Sequence, residues 1–288
     1  MTPRRDASCR LRDGRNLAYA EWGVAECQPV LAFHGAPGSR LWSPDDFDPG
    51  KTTTECGVRL ITVDRPGYGR SDPLPGRTLL DWADDVEQLL DALSIDACPV
   101  VGASAGGPHA MACAVRLPER VTRLGSVSGV GPTYHVPGVW DELSEEWRAV
   151  VELGEHDRIA SLDAARRHLA WLAEDPDGVG DPAQWPEVDR WLAEDPAMRE
   201  ALVSFVREAG RQGTDGYAWD LLAITLPWGF SPREIEVDSW LWHGDQDAMV
   251  AFENLCREIP GAHCVLYPGE GHLLRGHWGD IFAALTAA

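Results

Sequence analysis

Short apolar, β-branched runs alternate along most of the chain with longer stretches of helical periodicity, the pattern of parallel strands joined by crossover helices. Residues 8–12 (SCRLR) and 16–23 (NLAYAEWG), joined across Asp13-Gly14, predict an opening β-hairpin. Buried strands are expected at 29–35 (PVLAFHG), 58–64 (VRLITVD), 98–104 (CPVVGAS) and 123–129 (RLGSVSG). Between the second and third of these, 79–94 places Leu79, Trp82, Val86, Leu89, Leu90 and Leu93 on one helical face. A second helix should follow Ser104 and stop near Pro118.

From about Pro132 to Thr225 the strand-like runs vanish and amphipathic helical stretches with tryptophan at intervals take over. This predicts an all-helical insertion over 132–225, with 1–131 and 226–288 forming one α/β core. Alternation resumes with a strand at 238–244 (DSWLWHG), a helix near 251–259, a strand at 263–269 (HCVLYPG) and a closing helix from His277.

Composition narrows the function. The 288 residues carry 46 acidic against 25 basic side chains, a formal charge of −21, which repels polyphosphates and excludes nucleic-acid binding from the expectations. The insertion alone holds 20 Asp and Glu against 8 Arg. A solvated helical face explains that excess more simply than a cationic substrate. Seven cysteines without CxxC spacing are read as buried free thiols of a reducing compartment. The N-terminus lacks an apolar stretch behind its arginines, and no window approaches 18 uncharged apolar residues. A cytoplasmic protein without membrane contact is expected; assembly with its own copies is left open.

Chemistry concentrates at predicted strand ends. Gly102-Ala103-Ser104-Ala105-Gly106 fits G-x-S-x-G, a weak pattern alone, but an apolar strand runs into it and a glycine-started helix leaves it, as a nucleophile elbow requires. Small flanking residues let the strained turn lie close to its neighbours, and the serine then sits at a helix N-terminus, where the dipole favours developing negative charge. Gly125-Ser126-Val127-Ser128-Gly129 lacks a central serine and reads as a strand end only. A serine needs an imidazole to take its proton and a carboxylate to fix the imidazole's tautomer. Of nine histidines His272 is favoured, because a glycine-rich loop carries it off a strand end. His277 is expected to be solvated, His34, His109 and His243 to be structural, and His135, His156 and His168 lack a motif. Asp247 is the favoured orienter, with Asp245 the alternative. A tetrahedral oxyanion needs two backbone donors, assigned to Ala36, after the first buried strand, and Ala105. Such chemistry requires no metal or organic cofactor, and HExxH is missing.

HGAPG (34–38), DRPGYGRSD (64–72), GASAGG (102–107), HGDQD (243–247) and GEGH (269–272) occur in an order that resembles the α/β-hydrolase superfamily. The resemblance covers most of the chain outside the insertion. It implies an eight-stranded, mostly parallel sheet with helices on both faces and a helical cap inserted after the sixth strand. It also implies Ser104, Asp247 and His272 as triad, with Ala36 and Ala105 as oxyanion donors. HGAPG and GRSD look like the proline iminopeptidase group, but Ala36 replaces that group's second loop glycine and Ala105 its usual tryptophan. GASAGG resembles the hormone-sensitive lipase group, whose HGGG loop is missing here. Epoxide hydrolases and haloalkane dehalogenases carry Asp at the position of Ser104. The expectation is a capped carboxylesterase-like hydrolase of a small or medium ester. An aminopeptidase, lactonase, thioesterase or C–C bond hydrolase are alternatives on the same triad, and a non-catalytic ligand-binding protein is the alternative of another class. About one or two of the insertion's Trp140, Trp147, Trp171, Trp185, Trp191 and Trp219 are expected to meet substrate, the rest to pack.

Overall fold

The structure, a computed structural model, describes residues 3–41, 49–132, 138–154, 156–248 and 250–287. Eight strands form one sheet: β1 Arg5–Arg10, β2 Asn16–Gly23, β3 Gln28–Phe33, β4 Val58–Val63, β5 Cys98–Ala103, β6 Val121–Val127, β7 Ser239–Gly244 and β8 His263–Tyr267. Their spatial order is β1-β2-β4-β3-β5-β6-β7-β8; β2 runs antiparallel to both neighbours and every other pair is parallel. The expected strands are all present. The first lies nearer the N-terminus than expected, because its pairing with β2 runs from Arg10↔Asn16 back to Arg5↔Glu21.

The apolar runs exist because both sheet faces are covered. Leu31 and Phe33 join one core cluster while Val30 and Ala32, alternating with them on β3, join the other. The first face packs on α2 (Leu79–Leu93) and α3 (Gly106–Arg116); the second packs on α12 (Trp278–Thr286) through Trp278, Ile281, Phe282 and Leu285. Helix α2 begins where expected, since Thr78 and Asp81 form a reciprocal capping box. A short helix α1 (Pro49–Glu55), which the Thr-rich sequence hid, precedes β4.

The remaining helices are α4 (Val139–Glu142), α5 (Glu145–Gly154), α6 (Arg158–His168), α7 (Ala170–Glu174), α8 (Trp191–Glu194), α9 (Pro196–Ala209) and α10 (Asp215–Thr225), all between β6 and β7, and α11 (Val250–Glu258) between β7 and β8. Helices α5 to α10 share a third apolar cluster, but Ala223 and Ile224 of α10 belong to the core of the first sheet face. The end of the insertion is thus rooted in the core. The candidate His135 lies outside the described residues.

The cysteine expectation is corrected. Cys256 and Cys264 are joined in a disulfide between α11 and β8, with 6.1 Å between their Cα atoms. Of the cysteines outside that disulfide, Cys98 and Cys113 are buried and Cys9, Cys27 and Cys56 are half-buried. The error arose because apolar neighbours in sequence do not bury a residue on an edge strand, and β8 is an edge. Among the described residues no helix is long and apolar enough to cross a membrane.

Candidate active site

Parallel pairing brings the C-terminal ends of β3, β5, β7 and β8 to one edge of the sheet, and each is followed by one of the candidate residues. Ser104 follows β5 with φ of +52°, a left-handed conformation in which a non-glycine residue is strained. The neighbours explain the small residues around it. A Cβ on Gly102 would lie 2.0 Å from the Gly106 carbonyl oxygen, and one on Gly106 would lie 2.2 Å from that of Phe33. Ala105 is then the N-cap of α3. Among the described residues, neither the Ala105 nor the Ala36 amide donates to a backbone acceptor, which leaves both N–H groups available.

His272 Nδ1 donates to Asp247 Oδ2 at 2.8 Å. Burial disfavours the charged ring, but the hydrogen bond and charge of Asp247, with the charge of Asp189, hold its pKa above the usual histidine value. Burial likewise pushes the Asp247 carboxyl up, yet His272 outweighs it and the group stays below its usual range. Asp245 points elsewhere: its carboxylate accepts from the Gly269 amide at 2.8 Å. His243 Nε2 donates to the Ala248 carbonyl at 2.9 Å and also lies 3.3 Å from Asp247 Oδ2. One carboxylate oxygen therefore faces two imidazoles. Ser104 and His272 line the same cavity, although among the described residues no hydrogen bond joins them.

That cavity has a volume of about 200 Å³ and a mostly apolar wall. Ala36, Val127 and Leu274 contribute from the core, Trp185, Leu202 and Phe205 from the insertion. Ala105 is not among its lining residues; Ala36 is. Of the six tryptophans named for the insertion, Trp185 and Trp191 reach it. Among the described residues its ionisable lining groups are His272 and Arg275, the latter 4.6 Å over the Trp191 ring. Among the described residues no cluster of His, Cys, Asp and Glu is arranged to hold a metal ion.

The other histidines have local partners. His34 Nδ1 donates to the Gly35 carbonyl at 2.6 Å, and burial holds its pKa well below the usual value. His109 Nδ1 donates to the Ala105 carbonyl at 2.8 Å. His277, expected to be solvated, is half-buried instead, its ring stacked 3.8 Å from that of Tyr267. The expectation failed because Tyr267, the last residue of β8, comes back against the His277 ring.

Two groups of polar residues escaped the sequence reading. Arg65, fully buried, donates to the carbonyls of His34 and Gly35 and pairs with Asp220 of α10 at 2.7 Å. Asp220 also takes Arg77 at 2.9 Å and the Tyr68 hydroxyl at 3.1 Å. The loop bearing Ala36 is thereby tied to the insertion. The motif at 64–72 was visible, but its partner in α10 carried no signal. The second group, centred on Asp189, had none either.

The chain matches the family described as alpha/beta hydrolase fold over residues 28–274. It belongs to that family. A 2-hydroxymuconate semialdehyde hydrolase of Pseudomonas putida is 26% identical across 90% of this chain and 85% of its own. A non-heme chloroperoxidase of Streptomyces lividans is 34% identical, but the match spans only 48% of this chain and 52% of that protein. Among solved structures, a hydrolase from Pseudomonas aeruginosa PA01 superposes with a TM-score of 0.72 at 20% identity, covering 100% of both chains. The enol-lactonase from Burkholderia xenovorans LB400 gives 0.68 at 18%, over 96% of this chain and 97% of that one. Its fold is that family's, the eight-stranded, mostly parallel sheet described above, and relatives matched along most of their length carry hydrolase names.

Proposed function

We propose that this alpha/beta hydrolase cleaves a small or medium carboxylic ester through an acyl-enzyme. Ser104 Oγ attacks the acyl carbon while His272 takes its proton. Collapse of the tetrahedral adduct expels the alcohol, which receives that proton from His272, and water then releases the acid by the same route in reverse. Asp247 holds the ring in the tautomer that keeps Nε2 basic, and the amides of Ala36 and Ala105 take the oxyanion. Residues 132–225 act as a cap over residues 1–131 and 226–288. The observation that carries this reading is the His272–Asp247 hydrogen bond at the wall of the cavity that also bears Ser104. The serine-to-imidazole contact closes when substrate binds, as such contacts commonly tighten on complex formation.

A cavity of about 200 Å³ suits a short acyl chain or a single ring, since an apolar cavity of about 150 Å³ takes up benzene. Among the described residues its lining holds no carboxylate. That disfavours an amine-bearing substrate, and with it the aminopeptidase alternative, whatever the acidity of the insertion. A second reading, hydrolysis of a C–C bond, is favoured by the 2-hydroxymuconate semialdehyde hydrolase relative, whose match extends over 90% of this chain. We keep the cytoplasm as the proposed location on the buried thiols of Cys98 and Cys113, although the Cys256–Cys264 disulfide points the other way.

A fluorophosphonate probe tests the nucleophile: the wild type should be labelled and Ser104→Ala should not. An unlabelled wild type would reject the proposal and favour a binding protein. Rates on p-nitrophenyl esters of increasing length, beside 2-hydroxymuconate semialdehyde, separate the ester reading from the C–C reading.

A further inference from the structure

Asp189 closes a single turn of 3₁₀ helix, Glu187–Asp189, within the insertion, and its side chain is almost fully buried. Both carboxylate oxygens accept from consecutive backbone amides 83 and 84 residues away: Oδ2 from His272 N at 2.9 Å and Oδ1 from Leu273 N at 3.1 Å. Gly271 belongs to the same fit. A Cβ there would lie 2.5 Å from Asp189 Oδ2 and 2.5 Å from Val188 Cγ1. Two and three residues beyond the aspartate, Trp191 and Leu192 line the cavity. One short segment thus builds part of the cavity wall and grips the backbone that carries the imidazole.

We infer that Asp189 is a positioning residue for the reaction, anchoring the His272 loop to the insertion so that ring orientation and cavity wall are set together. The inference rests on the reading of His272 as the proton carrier. The loop needs such an anchor: Gly269 at φ of +80° and Gly271 give it freedom that β8 alone does not remove. Without the two-amide grip, two half-buried N–H groups lose their acceptors and the ring is free to leave Asp247. An error of about 1 Å in a reacting group costs on the order of 100-fold in rate. The Asp189 charge acts on the same ring. The titratable groups facing it are Asp247 and His243 from β7 and the loop after it, and Asp189 from the insertion, which together with Asp247 favours the protonated imidazole.

The test uses the full chain with Asp189→Asn, which keeps the shape but offers an amide N–H to one of the two amides, and Asp189→Ser, which leaves room for water. Each is compared with wild type per active site titrated with fluorophosphonate, so that an unfolded fraction does not count. The expected result is kcat on a p-nitrophenyl ester lower by about 10- to 100-fold with KM within about threefold. The acidic limb of the kcat/KM profile should move to lower pH, because a charge that favours imidazolium has gone. Unchanged kcat per titrated site with an unmoved limb, even at a lower melting temperature, would overturn the inference and leave a structural role only. A wild type that does not label would overturn the reading of Ser104 and His272 instead, so the two failures are distinguishable.

Discussion

Replacing Asp247 by Ala removes both the 2.8 Å hydrogen bond to His272 and the charge that stabilises the imidazolium formed as Ser104 attacks. Two unit charges about 4 Å apart attract by about 4 kcal/mol at the effective dielectric of a site near the surface. The ring is 37% exposed and the carboxylate 19%, so solvent screening cuts this to about 2–3 kcal/mol. At about 1.4 kcal/mol per tenfold, charge alone accounts for roughly 100-fold in kcat. Freedom of the ring to adopt the wrong tautomer adds to this, as loss of the orienting carboxylate in serine-protease triads costs about 10⁴. The expected fall is therefore about 10² to 10⁴ in kcat, read as p-nitrophenol release at saturating ester, with KM little changed. Asp247 raises the His272 pKa and the ring must be neutral to accept a proton, so the acidic limb of the variant's profile moves to lower pH. Asp247→Asn should fall between wild type and Ala, because the N–H of His243 faces the same oxygen and selects the amide's carbonyl for that place. A folded Ala variant within threefold of wild type would refute the assigned role.

Gly102→Ala drives a methyl to 2.0 Å from the Gly106 carbonyl; about 1–3 kcal/mol of stability, followed by urea unfolding, and most fluorophosphonate labelling should be lost. Unchanged labelling would mean that the elbow tolerates bulk. Arg65→Met strands the Asp220 carboxylate in the interior and should cost about 3–5 kcal/mol, with part regained in the Arg65→Met, Asp220→Leu double variant; a near-neutral single variant would show that Arg77 suffices. Trp185→Ala widens the cavity, so the ratio of kcat/KM for longer over shorter acyl esters should rise by about tenfold, and an unchanged ratio would place the acyl chain elsewhere.

The fold was legible because the inner strands are buried on both faces, so their apolar runs stand out without any partner being known. The candidate site was legible for a related reason. In a parallel sheet every strand end used by the chemistry lies on one edge, so Ser104, Asp247, His272 and Ala36 could be found one loop at a time. The favouring of Asp247 over Asp245 rested on loop length, and the hydrogen bond to His272 now gives that choice a geometric basis. Sequence pattern did less well where a side chain meets the neighbouring element across a turn, as at Cys256, Cys264 and His277.

Local sequence therefore determined the strand-and-helix order, the helical stretch between β6 and β7 and the need for glycine at 102, since each depends on periodicity or on a clash within a few residues. Tertiary structure alone decided that Asp220 binds Arg65 and that Asp189 holds the amides of His272 and Leu273. Those contacts join residues more than 80 positions apart, and a carboxylate in an amphipathic helical stretch looks like any other solvated acid until folding removes its water and supplies its donors.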